Sequence, residues 1–288
     1  MHRRRVLLAG LLVLPAGMPA VRAQDARPRS VLRFGTTPVF LDDQVGFLAR
    51  WSAYLSTAVG TPVEFVSRRS YRDIMGLLRS QELEAAWICG FPWVMNRNEL
   101  RGLSTPLYRD QPLYQSYLIV PATDTSTASL ADLRGKAFAY SDPDSNSGWL
   151  VPRTTLMKAG IDPDRHFSRS FYTWGHRNVV NAVAAGLAQG GAVDGYVWDT
   201  LAIVAPSLVA KTRVAWRSER YGFPPLAVRA TLDPLTERRL HDALLGMTGD
   251  PAGRKLLAEL NLSGFGNFDA RVFDSIARNA ALAGARVT

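Results

Sequence analysis

An eight-residue segment near the middle of the chain, Ser141 to Gly148, combines three serines, one asparagine and two aspartates. It follows a strand-like run, Lys136 to Tyr140, and precedes a helix-like run that begins at Trp149. In an open parallel sheet, ligands gather at the carboxyl ends of strands, where the first amides of the next helix lack internal partners. Such a turn can bind an anion. Ser, Asp and Asn are also the commonest turn and cap residues, so residue types alone leave an anion site and a simple helix cap equally open.

The second half of this segment supplies the candidate ligand-binding residues Ser145, Asn146, Ser147 and Gly148. Their hydroxyl and amide groups offer hydrogen bonds, and the glycine allows a close approach to the backbone. The segment lacks the Gly-Lys-Ser/Thr ending of a nucleotide-binding loop. It is also not the nucleophile elbow of a hydrolase, because Ser145 and Trp149 stand where that motif requires glycines.

Cys89 is the only cysteine of the chain and lies in an apolar run, Ala85 to Cys89. A buried, inert thiol is the expected role for such a residue. The sequence contains no CxxC or HExxH motif and no histidine pair at ligand spacing. We therefore expect neither a metal site nor a cofactor.

Strand-length apolar runs alternate with helical patterns in the first part of the chain. The predicted strands are Val31–Phe34, Val63–Val66 and Glu84–Cys89, and the predicted helices are Val45–Val59 and a helix from Ser70 through Leu78. Ser70 and Asp73 match a capping box at the start of the second helix. This order is typical of a parallel sheet covered by helices.

A long strand-like segment, Tyr114 to Val120, has no helix before it and is predicted to cross into a second lobe. Alternation then resumes: Lys136–Tyr140, a helix to about Ala159, Ser168–Tyr172, a helix from His176 to Leu187, Val193–Trp198 and Thr212–Trp216. Tyr221 to Val228 is predicted to cross back, and the chain is helical from about Asp233.

The predicted fold is therefore α/β with two lobes, each a mainly parallel sheet flanked by helices, joined by two crossing segments. Residues 30–115 and 225–288 form the first lobe, and residues 116–224 form the second. A cleft between two such lobes is a favoured place for a small ligand.

The first 23 residues have the pattern of a secretory signal peptide. Three arginines, Arg3 to Arg5, precede a nine-residue apolar stretch, and Val21-Arg22-Ala23 offers a cleavage site. Cleavage would lower the net charge from +9 to +5, because the segment holds four arginines and no acidic residue. The remaining Lys and Arg are scattered, and no nucleic-acid motif is present. We expect a periplasmic protein exported by the Sec or the twin-arginine route.

Four stretches, SDPDSNSGWLVP, FYTWGHRNVVNAVAAG, AVDG and AAWICGFPWV, together resemble the phosphonate-, phosphite- and phosphate-type (PhnD-type) substrate-binding proteins of ABC importers. The resemblance spans nearly the whole mature chain. It implies a type II periplasmic-binding fold that closes its two lobes on a tetrahedral oxyanion. It also implies a monomer that is not an enzyme and that delivers its ligand to an ABC permease in the inner membrane.

The same resemblance assigns roles to single residues. Ser145, Asn146 and Ser147 match the turn that holds the phosphoryl group, and His176 matches a histidine that contacts it. Trp93 falls where the family often has a tyrosine facing the ligand, and Phe91 lies close to it. A tryptophan there could donate one hydrogen bond and wall the pocket, and burial in the core is the alternative.

Asp194 matches a position where the family commonly has aspartate, and a structural role there is slightly favoured over ligand contact. Tyr196, Trp198 and Asp199 follow at the far end of the predicted strand, where cleft contacts usually arise. Whether Asp194 or the Trp198–Asp199 pair contacts the ligand is left open.

The residues around His176 depart from the family pattern, since Trp174 and Arg177 stand where small and acidic residues are common. This departure favours a small or strongly anionic ligand over an aminoalkyl-phosphonate.

Two other functions are weighed against phosphonate binding. The same fold could bind a sulfonate or another organic anion, or a heterocycle stacked on Trp93, Trp149 and Trp174. A hydrolase with a triad of Ser147, His176 and Asp194 is the less favoured alternative.

Overall fold

The structure is a computed structural model that describes residues 31–37 and 45–285. The predicted signal peptide, residues 1–23, lies outside the described residues. Within these ranges no helix has the length and apolar character needed to cross a membrane.

The first part of the chain forms four strands and three helices. They are β1 (Leu32–Thr36), α1 (Val45–Val59), β2 (Val63–Ser67), α2 (Tyr71–Arg79), β3 (Ala85–Trp87), α3 (Gly90–Met95) and β4 (Leu100–Leu107). The Ser70 hydroxyl accepts a hydrogen bond from the Asp73 amide at 3.1 Å, so the predicted cap starts α2.

The middle part of the chain forms five strands and five helices. They are β5 (Leu113–Pro121), β6 (Ala137–Tyr140), α4 (Val151–Lys158), α5 (Pro163–His166), β7 (Arg169–Tyr172), α6 (His176–Ala184), β8 (Gly190–Asp194), α7 (Gly195–Val204), α8 (Pro206–Val209) and β9 (Thr212–Gly222). A π-helical turn, Asn146–Leu150, leads directly into α4. The helix predicted to reach Leu187 ends earlier, because Gly186 adopts a positive φ of 74° and turns the chain.

The last part of the chain contains two strands and three helices. They are β10 (Leu226–Arg229), α9 (Pro234–Leu245), α10 (Pro251–Glu259), β11 (Gly264–Asn267) and α11 (Asp274–Leu282). Aspartates cap α9 and α10 as expected from the Asp-Pro pairs: Asp233 accepts from the Thr236 amide and Asp250 from the Gly253 amide.

These elements build two sheets, one in each lobe. The six-stranded sheet of the first lobe has the order β11-β4-β10-β3-β1-β2, and the five-stranded sheet of the second lobe has the order β7-β6-β8-β5-β9. The predicted two-lobed α/β fold is confirmed. The division at residues 115/116 and 224/225 stays a prediction.

The expectation of mainly parallel sheets is wrong, because both sheets are mixed. In the first lobe, β10 runs antiparallel to β3 and β4, and β11 runs antiparallel to β4. In the second lobe, β5 runs antiparallel to both β8 and β9. Parallel pairing needs a crossover helix, and the strands next to the crossing segments join their sheets without one.

The chain crosses between the lobes at residues 108–112 and 223–225, which are shorter than the predicted crossing segments. Tyr114 to Val120 lies wholly within β5. The two crossings are hydrogen-bonded to each other, since the Phe223 amide donates to the Pro112 carbonyl at 2.9 Å. This pairing places both connections side by side at one point of the molecule.

The segment Val193–Trp198 was expected to be a strand, and most of it is helical. The strand β8 begins earlier, at Gly190, and α7 begins at Gly195. A Cβ atom on Gly191 would lie 2.4 Å from Val179, so close packing of α6 requires a glycine within this strand. Gly190 and Gly191 are therefore part of the sheet.

An aromatic core supports the first lobe. Trp51 of α1 stacks on Phe65 of β2 with ring centroids 4.9 Å apart, and it contacts Phe34 and Trp87 from the neighbouring strands. This packing fixes the carboxyl ends of β1, β2 and β3, which face the second lobe.

Candidate functional site

The turn Ser145–Gly148, called the serine turn below, lies buried between the lobes after the end of β6. Ser145, Asn146 and Ser147 are each at most 1% exposed. The Ser145 hydroxyl accepts a hydrogen bond from the Gly148 amide at 3.0 Å and so caps the π-helical turn. Ser145 therefore shapes the turn, and its oxygen already has a partner.

Gly148 occupies a position where no side chain fits. A Cβ atom there would lie 1.8 Å from the Ser141 hydroxyl oxygen and 2.6 Å from the Ser141 Cβ. The glycine lets the turn fold back on the end of β6, where the Ser141 amide donates to the Gly148 carbonyl at 3.3 Å. Gly148 thus allows the close approach of Ser141, and the approach of an anion to this backbone stays a prediction.

Asn146 bonds to both lobes. Its backbone amide donates to the Cys89 sulfur of the first lobe at 3.2 Å, and its side-chain Nδ2 donates to the Tyr114 hydroxyl at 2.9 Å. Its side-chain Oδ1 is buried and has no hydrogen-bond partner within the described part of the chain. Cys89 is neutral as expected, because burial raises the pKa of its thiol to about 12.

Ser147 has a buried hydroxyl that makes no hydrogen bond of acceptable geometry among the described residues. Its carbonyl is held by the Ser116 hydroxyl of β5 at 2.6 Å. The Ser141 hydroxyl is likewise buried and unpartnered among these residues. Native proteins rarely bury polar groups without partners, so several such groups at one place mark a candidate ligand-binding position.

His176 begins α6 and is buried, with its two ring nitrogens in different roles. Nδ1 accepts a hydrogen bond from the Asp194 backbone amide at 3.0 Å. Nε2 therefore carries the proton and faces the Tyr71 hydroxyl of the first lobe at 3.4 Å. Burial lowers the pKa of His176 to about 3, so the ring is a neutral donor at physiological pH.

Asp194 has the structural role that was slightly favoured from the sequence. Its carboxylate accepts from the Tyr196 amide at 2.9 Å and caps α7. Burial raises the pKa of Asp194 to about 8. A Ser-His-Asp triad needs a carboxylate that accepts from the histidine Nδ1, and here Nδ1 is itself an acceptor, so the proposed hydrolase triad is wrong.

The residues after Asp194 do not reach the serine turn. Trp198 donates to the Thr212 hydroxyl at 3.2 Å, and Asp199 accepts from the Tyr108 hydroxyl at 2.7 Å. Asp199 instead lines a separate cavity of about 480 Å³ beside the crossing at residues 108–112.

Trp93 was expected near the ligand, and the structure places its ring in the first-lobe core. The ring packs on Phe268 and Phe273 with centroids 4.9 and 5.0 Å apart. Phe91 does reach the second lobe, where it stacks on Trp149 at 6.1 Å with an interplanar angle of 14°. The Phe91–Trp149 stack thus covers one side of the serine turn.

Trp174 does not enclose His176 as its sequence position suggested. Its side chain is 49% exposed and rests against Tyr172 at a centroid distance of 6.0 Å. Since Trp93, Trp149 and Trp174 do not converge, the heterocycle-stacking alternative has no common surface.

Tyr71 and Tyr114 are site residues that sequence reasoning missed. Tyr71 faces His176, and Tyr114 accepts from Asn146. Burial raises the pKa of both hydroxyls well above the ordinary value, so both remain neutral donors. Tyr71 follows the Ser70 cap at the carboxyl edge of the first sheet, a position that could have indicated it.

The acidic part of the segment, Asp142 to Asp144, joins the two lobes. The Asp142 carboxylate accepts from the Tyr71 backbone amide at 3.3 Å, at the start of α2. Asp144 forms an ion pair with Arg72 at 3.4 Å. Burial raises the pKa of Asp142 to about 6. Throughout the described residues, no group of three His, Cys, Asp or Glu side chains could hold a metal ion.

Comparison with known proteins identifies the family. The family model for the periplasmic phosphonate substrate-binding protein of ABC transporters matches residues 34–273. The phosphate-import protein PhnD of Mycolicibacterium smegmatis is 27% identical over 193 residues, which span 62% of this chain and 60% of that protein. The phosphonates-binding periplasmic protein of Escherichia coli is 24% identical over 253 residues, or 84% of this chain and 74% of that protein.

Solved structures show the same fold. PhnD1 from Prochlorococcus marinus, in complex with methylphosphonate, superposes with a TM-score of 0.81 at 18% sequence identity. The superposition covers 89% of this chain and 99% of that structure.

Proposed function

The chain belongs to the family of periplasmic phosphonate substrate-binding proteins of ABC transporters, and we propose that it captures a phosphorus oxyanion or an organophosphonate between its lobes. The ligand then passes to an ABC permease in the inner membrane. The protein binds and releases its ligand without chemical change.

The observation that carries this proposal is the set of unpartnered polar atoms at the serine turn. The Ser147 hydroxyl and the Asn146 Oδ1 are buried and unpartnered within the described residues. An unsatisfied buried polar group costs about 1 to 3 kcal/mol. A tetrahedral oxyanion can accept a hydrogen bond from the Ser147 hydroxyl, and one that keeps a P–OH group can also donate to the Asn146 Oδ1.

We assign ligand contacts to Ser147, Asn146 and His176. Ser147 offers its hydroxyl. The Asp194 amide donates to Nδ1 of His176, so the ring proton lies on Nε2, which can donate it in a hydrogen bond to the ligand. Ser145 and Gly148 give the turn its shape. Asp194 positions the histidine through its backbone.

Residues from both lobes surround this group. Tyr71 brings a first-lobe hydroxyl to His176, and Tyr114 brings a second-lobe hydroxyl to Asn146. Phe91 stacks across the boundary on Trp149, where it excludes water. Binding and release would require the lobes to rotate about the paired crossings at residues 108–112 and 223–225.

Export supports the same role. The family is periplasmic, and residues 1–23 have the pattern of a cleaved signal. We propose cleavage after Ala23, and a mature monomer with lobes formed by residues 30–115 with 225–288 and by residues 116–224.

Calorimetric titration of the purified protein tests the proposed ligand class. The panel contains phosphate, phosphite, methylphosphonate, 2-aminoethylphosphonate, sulfate and methanesulfonate. We expect saturable binding of at least one phosphorus ligand and weaker binding of the aminoethyl compound, whose cationic tail has no identified partner. Binding of methanesulfonate alone would replace the phosphorus class with a sulfonate, and silence toward every anion would contradict the function.

A further inference from the structure

We propose that the site selects the singly charged form of its oxyanion, which keeps one acidic proton, over the doubly charged form. This inference rests on the proposed function and names the ionisation state of the ligand that the same site takes.

The groups that would bind the ligand donate hydrogen bonds but supply no positive charge. Ser147 offers a hydroxyl, and His176 offers one proton from a ring whose other nitrogen already accepts from the Asp194 amide. Burial holds the pKa of His176 at about 3, so this ring stays neutral. Neutral donors stabilise a buried charge less than an ion pair does, and the deficit grows with each added charge.

Helix N-termini could supply positive potential, but the protein's own carboxylates occupy two of them. Asp142 accepts from the Tyr71 amide at the start of α2, and Asp194 caps α7. Both carboxyls are buried, and burial raises their pKa to about 6 and about 8. The region therefore already penalises negative charge, and a second charge on the ligand would add to that penalty.

The buried titratable groups around the serine turn come from six segments of the two lobes. They are Tyr71, Cys89, Tyr114, Asp142, His176 and Asp194. Each of them is neutral or negative at physiological pH, since burial raises the pKa of the phenols and the thiol. Arginines on the adjoining helices are paired or lie outside the turn. Arg72 is 75% exposed and pairs with Asp144, Arg153 of α4 stacks on Trp149 at 5.1 Å and pairs with Asp164 at 2.7 Å, and Arg177 follows His176.

One acceptor in the site needs a donor from the ligand. Asn146 Nδ2 donates to Tyr114, which leaves the buried Oδ1 without a donor among the described residues. A carbonyl oxygen can only accept. A fully ionised phosphonate has no proton to offer, whereas the monoanion carries one P–OH group that can bond to Oδ1.

The pH dependence of binding tests this inference with two ligands that differ in their own acidity. Affinity for methylphosphonate and for difluoromethylphosphonate is measured by calorimetry between about pH 5 and about pH 9. Fluorine withdraws electrons and lowers the second pKa of the ligand. We expect each affinity to fall about tenfold per pH unit above the ligand's second pKa, and ionisation of Asp142 and Asp194 to weaken the binding of both ligands equally. The fall should begin at lower pH for the fluorinated compound.

Comparison of the two curves separates ligand ionisation from protein ionisation. If both affinities fall at the same pH, a protein group controls binding and the inference is overturned. Constant or rising affinity with pH overturns it as well. Absence of binding by any phosphorus ligand rejects the proposed function itself, which is a different result from binding without this pH profile.

Binding of methanesulfonate, which is singly charged at every pH tested, and the binding of three variants complete the test. Methanesulfonate is singly charged but has no O–H group, so it should bind at least about tenfold more weakly than methylphosphonate at about pH 6. Asn146→Ala should reduce that ratio toward one. The pH at which affinity falls should stay at the ligand's second pKa in Asp142→Asn and in Arg177→Gln. A shift of that pH in either variant would contradict the proposal.

Discussion

The two halves of the Ser141–Gly148 segment use similar residue types in opposite ways. In the acidic half, Asp142 and Asp144 bond to the start of α2 in the other lobe. In the serine turn, Ser147 and Asn146 keep buried polar atoms without partners in the described structure. The partnered groups connect the two lobes, and we propose that the unpartnered groups bind a ligand. The distinction depends on three-dimensional surroundings, since both halves consist of ordinary turn residues.

Gly148→Ala should have the largest effect, because it disturbs the shape of the serine turn. The added Cβ would overlap Ser141, whose hydroxyl oxygen is 1.8 Å from its position. We expect the free energy of unfolding to fall by about 1 to 3 kcal/mol and oxyanion affinity to fall by more than about tenfold. Thermal unfolding and calorimetry measure the two effects. Gly76→Ala is the matched control, because a Cβ there meets no atom within 4 Å; a Gly148 variant that behaved like this control would contradict the packing argument.

Ser147→Ala should weaken binding without weakening the fold. Its hydroxyl lies beside the Tyr114 hydroxyl but makes no hydrogen bond of acceptable geometry among the described residues, so its loss costs a donor mainly when the ligand is bound. We expect affinity to fall by about 1.5 to 3 kcal/mol, with the melting temperature of the ligand-free protein unchanged or higher, because removal of an unsatisfied buried hydroxyl removes its cost. Ser145→Ala is the contrasting variant, because its oxygen caps Gly148 and its loss should lower stability by about 0.5 to 2 kcal/mol. If Ser147→Ala and the unmodified protein bound the ligand equally well, the serine turn would serve only to cap the helix, and the proposed ligand contact would be wrong.

His176→Ala should weaken binding by a smaller amount that does not vary with pH. The Nε2 proton already faces Tyr71 at 3.4 Å, so the ligand gains less from this donor, about 1 to 2 kcal/mol. Burial lowers the pKa of the ring to about 3, below the range tested, so the ratio of variant to unmodified affinity should match at about pH 5.5 and about pH 7.5. A ratio that grows at acidic pH would indicate a charged imidazolium.

Arg72→Gln should have the smallest effect. The side chain is 75% exposed, and an exposed ion pair contributes about 0 to 1 kcal/mol. We expect ligand affinity to change less than about threefold and the change to vanish at high salt. A larger, salt-insensitive loss would show that the acidic half contributes to ligand binding rather than to contact between the lobes.

Much of the fold could be predicted from the sequence where local signals and tertiary packing agree. The Ser70 cap, the Asp233 and Asp250 caps and the helix Val45–Val59 all stand where the pattern placed them. The strand β8 could not be recognised, because its Gly190 and Gly191 are required by packing against Leu133 and Val179 rather than by strand propensity.

Only the candidate site residues of the second lobe could be predicted from the sequence. The serine turn and His176 belong to motifs that the sequence displays together, and the structure brings both to the boundary between the lobes. Tyr71 and Cys89 belong to the other lobe, and only the tertiary fold places them against His176 and Asn146. The sequence left ligand contact and core burial open for Trp93, because its position after β3 does not reveal that its ring turns toward Phe268 and Phe273.

A crystal structure with methylphosphonate tests the central claim most directly. We predict that the ligand lies at the serine turn, with its oxygens within hydrogen-bond distance of the Ser147 hydroxyl, the Asn146 side chain and His176 Nε2. A ligand bound instead in the cavity lined by Tyr108 and Asp199, with the serine turn still unpartnered, would contradict the account.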